Sequence, residues 1–120
     1  MQERPDRNWI RIALSEAEIN FNDRHIAEVQ ADGKTICVGR YKNELFAFAQ
    51  KCPHASGYFI GGYIDALGNV VCPLHRYRFS IKTGRNSSLE GYYLKHWPVE
   101  IRDDGVYVGL DIQKGWSLFA

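Results

Sequence analysis

Two short prolyl motifs restrict what this chain of 120 residues can fold into: Cys52-Pro53-His54 and Cys72-Pro73-Leu74-His75, with 17 residues between His54 and Cys72. Each supplies one thiol and one imidazole on a tight turn, where proline presets φ and nearby glycines permit close backbone approach. The segment 51–85 holds two of the three cysteines, two of the four histidines and five of the eleven glycines. Two thiolates with two imidazoles suit either zinc or an iron–sulfur cluster. Zinc-finger spacings (C-x2–4-C with H-x3–5-H) fit C-x-H paired with C-x-x-H poorly. An odd number of cysteines forms no disulfide framework and suits a reducing cytoplasm.

The rest of the chain reads as short strands. Ile10 and Ile12 flank Arg11 in Trp9–Ala13 with the alternation of a half-buried strand. Asp32-Gly33 separates Ile26–Ala31 from Thr35–Tyr41, and Lys42-Asn43-Glu44 precedes Leu45–Ala49. Leu67-Gly68-Asn69 divides Tyr63–Ile64 from Val70–Val71, and Asp103-Asp104-Gly105 divides Pro98–Arg102 from Val106–Leu110. Such turns every eight to twelve residues predict an all-β fold, an antiparallel sandwich or small barrel. Ser15-x-x-Glu18 has the form of a capping box, followed by too little periodic sequence for more than one or two turns, so the segment reads as a turn or short helix. Residues 1–8 are polar and expected to be loose. At 13.8 kDa the chain is expected to be one domain, 1–120. A net charge of +1 argues against nucleic acid as a partner. The longest apolar run, Leu45–Ala49, is far too short to cross a bilayer, and the N-terminus lacks the apolar stretch of an export signal, so the expected location is the cytoplasm.

The paired motif resembles that of the Rieske [2Fe–2S] proteins, in which C-x-H and C-x-x-H lie about fifteen to seventeen residues apart. Gly57, Gly61-Gly62, Phe79 and Thr83-Gly84 agree with the family's flanking pattern. The resemblance implies an antiparallel β-sandwich or incomplete barrel carrying a cluster-binding loop subdomain, here about 51–85. It implies Cys52 and Cys72 on the inner iron, and His54 and His75 on the outer iron at the solvent side. Two ferric ions, two sulfides and two thiolates sum to zero charge, so the oxidised cluster accepts an electron more readily than a four-cysteine one, within about −150 to +300 mV. High-potential relatives carry a clamp disulfide at the positions of Gly57 and Leu74, and serine and tyrosine donors at those of Tyr77 and Phe79. Their absence predicts the lower part of that range. Arg76 stands where glycine is common, and Ser87–Gly91 lacks the proline usual in a covering loop.

Length leaves no space for a mononuclear-iron oxygenase module. Two roles fit the resemblance. One is a freestanding ferredoxin carrying single electrons from a flavin reductase to a terminal oxygenase or similar oxidoreductase, with no substrate pocket of its own. The other is the small subunit of a cytoplasmic NAD(P)H-dependent nitrite reductase, beside a large reductase subunit. A zinc-stabilised interaction module is the third alternative. Cys37, within Ile36-Cys37-Val38, is expected to be a small buried hydrophobe, and His25 and His96 to be ordinary histidines. Tyr58, Phe59, Tyr63, Tyr77 and Phe79 are expected to pack the loops. Lys51, Arg76, Arg78, Lys82 and Arg85 outnumber Asp65, either as solvated loop charge or as a basic collar for an acidic partner.

Overall fold

A computed structural model describes residues 7–53, 56–86 and 92–112. Ten strands follow one another: β1 (Arg7–Ala13), β2 (Ile26–Ala31), β3 (Lys34–Tyr41), β4 (Glu44–Ala49), β5 (Tyr63–Ile64), β6 (Asn69–Val71), β7 (Arg78–Ser80), β8 (His96–Trp97), β9 (Val99–Arg102) and β10 (Gly105–Asp111). Every pairing is antiparallel, in three sheets ordered β1-β10-β9, β2-β3-β4-β8 and β5-β6-β7. The expected all-β architecture is borne out.

Turn chemistry sets the register. Lys42 and Asn43 both lie at positive φ (52° and 66°), matching the right-handed strand twist that a two-residue hairpin turn requires. Asp32 and Gly33 do the same between β2 and β3 (54° and 82°). The sheet β2-β3-β4-β8 forms the middle of the molecule. Because side chains alternate along a strand, Ile36 and Val38 face one way and Cys37 and Gly39 the other. The first face packs Ala31, Ile36, Ala47 and Val38 against Val106, Val108 and Leu110 of β10. The second packs Cys37 and Phe48 against Phe59, Val70, Cys72 and Phe79. Gly39 leaves room there for close approach, since a Cβ would meet Ile64 at 2.8 Å. The loop subdomain is thus rooted in the core, with Phe59, Phe79 and Val70 fully buried.

Several expectations are corrected. Arg7 and Asn8, expected to be loose, pair with Asp111 and Leu110, because β10 offers a full edge across the chain. The segment expected to be a turn or short helix is a single 3-10 turn, Glu16–Glu18, but the capping box does not form: Ser15 makes no side-chain cap, and Glu18 instead accepts the N–H of Leu14 at 2.8 Å. β7 and β8 carry no local signal in sequence and form by pairing with β6 and β4.

Candidate metal centre

Both motif loops close in the same way. The backbone N–H of Cys52 donates to Gly57 O at 2.9 Å, and that of Cys72 donates to Tyr77 O at 2.9 Å, each five residues on. Strand β4 leads into the first loop, whose base is held by the Lys51↔Tyr58 bridge and by Phe59 N–H to Gln50 O at 3.0 Å. Strands β6 and β7 carry the second. It turns through His75 (φ 63°) and Arg76 (φ 57°), two consecutive residues in the left-handed region. Asn22 ties the middle sheet to the first loop: its Oδ1 accepts Ile26 N–H at 3.1 Å while Nδ2 donates to Ile60 O at 3.2 Å.

Cys52 and Cys72 are buried in the same core cluster, close enough for each thiol to feel the other. Burial pushes the Cys72 thiol up; the Leu74 N–H pulls against this, and Cys52 adds to it. Gly57 closes over the pair, since a Cβ there would stand 2.8 Å from the Cys72 sulfur. His75 is exposed, its ring tilted at 59° to that of Tyr77 with centroids 5.9 Å apart. His54 lies outside the described residues, as does the Ser87–Gly91 loop. Among the described residues, no three His, Cys, Asp or Glu side chains gather around one ion position. The structure therefore brings the two thiols together in the core and places His75 on the solvent side. A two-iron cluster spreads its ligands over two metals, so two neighbouring thiols in the core with an imidazole on the solvent side fit it, and soft thiolate donors suit iron–sulfur chemistry.

Cys37 is not part of this site. It sits in β3 opposite Glu28 and Phe48, fully buried, and burial pushes its thiol up to about 12, with Glu28 adding to the shift. His25 and His96 are exposed, as expected. The aromatic expectation divides. Phe59 is buried edge-on between Phe48 (5.7 Å) and Phe79 (6.0 Å), whereas Tyr58 and Tyr63 are exposed. The five cations divide too: Arg78 pairs with Asp65 at 3.4 Å, Lys82 lines a separate cleft with His96 and Trp97, and Arg85 is exposed on a backbone bridge to Tyr93. Lys51 and Arg76 adjoin the motif residues. What sequence reasoning missed is the role of Leu74, whose N–H approaches the Cys72 sulfur and whose side chain lies against Gly57.

Two loops of equal closure, each over a buried thiol, stand on a stacked antiparallel framework. The chain belongs to the Rieske [2Fe-2S] domain family, whose profile matches residues 8–94. The ferredoxin component of the naphthalene 1,2-dioxygenase system of Pseudomonas putida is 28% identical over 104 residues, covering 85% of this chain and 95% of the relative. Two solved structures share the fold. One is the ferredoxin in the complex of reduced oxygenase and oxidised ferredoxin of carbazole 1,9a-dioxygenase, with TM-score 0.71, 22% identity, and 88% and 97% of the two chains covered. The other is a protein assigned as a nitrite reductase NADPH small subunit, with TM-score 0.70, 20% identity, and coverage of 84% and 97%. No helix among the described residues is long and apolar enough to cross a membrane.

Proposed function

We propose that this chain is a single-domain Rieske-type ferredoxin that carries one electron at a time from a flavin reductase to a terminal oxygenase in the cytoplasm. Cys52 and Cys72 hold the inner iron, and His54 and His75 the outer iron. The observation that carries this reading is the contact of two buried thiols beneath Gly57, with His75 on the solvent side. When bound, the cluster supplies a one-electron couple. The chain's own residues do the rest. Phe59, Phe79 and Val70 keep water from the sulfur side, and the Leu74 N–H is directed at a ligand sulfur, where it favours the charged form. The exposed His75 ring offers the electron a way out on the solvent side. The Tyr77 ring lies beside it, centroid 5.9 Å away.

Electron paramagnetic resonance of the dithionite-reduced protein, with iron and acid-labile sulfide analysis, tests the assignment. Two irons and two sulfides per chain with mixed nitrogen–sulfur ligation are expected, and both are expected to be lost in Cys72→Ser. One zinc per chain without sulfide would refute it. The likeness of fold to a nitrite reductase small subunit supports a second reading as an enzyme subunit. Size-exclusion chromatography from the native host separates the two: a carrier elutes alone, a subunit with a much larger partner.

A further inference from the structure

We propose that the tip of the second loop is a cationic docking surface selecting an acidic one-electron partner, with Arg76 its specificity-determining residue; this rests on the carrier reading above. Arg76 occupies φ 57°, a conformation that glycine adopts freely and that crowds the Cβ of any other residue. Packing does not explain its presence. The side chain is exposed, and among the described residues no acidic group pairs with it. It follows His75, the exposed imidazole, so its charge lies at the electron's exit. Lys51 adds a second cation beside Cys52, with Nζ 5.3 Å over the Tyr58 ring. Asp65, the sole acid of residues 51–86, is already engaged by Arg78. Leu74 and Tyr58, 44% and 46% exposed, give this face an apolar part that a partner can cover. The chain as a whole carries only +1, so the positive character is local. An acidic redox protein is drawn to such a face, and a basic one repelled.

Charged inorganic oxidants read this field directly. Ferricyanide takes one electron from the dithionite-reduced, desalted protein and becomes ferrocyanide; tris(phenanthroline)cobalt(III) takes one and becomes the cobalt(II) complex. No proton moves in either step. The ratio of the two stopped-flow rates cancels any change of potential common to both. Raising the salt from 10 mM to 500 mM, which shortens the screening length from roughly 30 Å to under 10 Å, is expected to slow the ferricyanide reaction several-fold and to speed the cobalt one. Arg76→Glu is expected to lower the ferricyanide-to-cobalt ratio at 10 mM by about tenfold or more. Arg76→Gly, which suits the backbone, is expected to lie between. Equal salt responses for the two oxidants, or a ratio unchanged in both variants, would overturn the proposal while leaving the carrier reading intact. Failure of the protein to take up an electron at all would overturn both.

Discussion

Gly57 and Leu74 meet across the two motif loops: a Cβ added to Gly57 would stand 3.4 Å from that of Leu74 and 2.8 Å from the Cys72 sulfur. The fully buried Cys72 sulfur cannot yield without moving a loop. Gly57→Ala is therefore expected to cost about 1–3 kcal/mol through overpacking. Iron and acid-labile sulfide per chain should fall by about half or more, whereas the β2–β3–β4 hairpins keep their far-ultraviolet circular dichroism. Full iron content in the variant would contradict this.

The same closeness suits a cross-link, because paired cysteines place their Cβ atoms about 3.5–4.5 Å apart. The double variant Gly57→Cys/Leu74→Cys is expected to form a disulfide under air. The loop it closes is worth roughly 3 kcal/mol in chain entropy, set against the crowding of the Cys72 sulfur by a Cβ at position 57. Mass spectrometry under non-reducing conditions and a melting temperature that drops on adding reductant are the checks.

Phe79 is fully buried against Phe59 and offers no hydroxyl to a sulfur. With few donors to stabilise the added charge, the midpoint potential is expected below zero, in the lower part of about −150 to +300 mV. A dye-mediated redox titration measures it, and a clearly positive value would contradict the donor argument.

Asp65 holds the turn between β5 and β6. Burial pushes its carboxyl up, but the N–H groups of Asn69 and Leu67, the Asn69 side chain and the nearby Arg78 outweigh this and bring it below the usual carboxylate range. A carboxyl depressed in the folded state stabilises above its unfolded value of roughly 3.9, and that contribution disappears as pH falls through the folded value. Melting temperature should therefore decline on acidification below about pH 4, with a shallower slope in Asp65→Asn. Identical slopes would show that Asp65 contributes no pH dependence.

Cys37 works in the opposite direction. Its thiol, raised to about 12 by burial and then by Glu28, favours the fold below the unfolded value of roughly 8.5 and ceases to do so as pH climbs towards 12. Iodoacetamide at pH 8 should leave Cys37 unmodified in the native protein and alkylate it after denaturation. Rapid labelling of the native chain would contradict its burial.

Much of this was legible in the sequence because it is local. Asp32-Gly33 and Lys42-Asn43 are hairpin turns by composition alone, and β2, β3 and β4 lie within a residue of where the alternation puts them. The motif cysteines were readable because spacing and residue type carry their chemistry. What stayed hidden is non-local. Arg7 pairs with Asp111 across almost the whole chain, and the two-residue strand β8 exists only because β4 presents an edge to it. The division of the cations was hidden for the same reason: Arg78 finds Asp65 through the β5–β6–β7 sheet, not through sequence proximity.

The union of β1 with β10 also has a practical use. Arg7 and Asp111 are joined by a 3.3 Å ion pair, in the sheet that covers the side of the middle sheet away from the two loops. A tether grafted past either strand would hold the molecule from behind. Fixed to an electrode that way, it would keep its imidazole edge turned outward, towards whatever protein is supplied in solution.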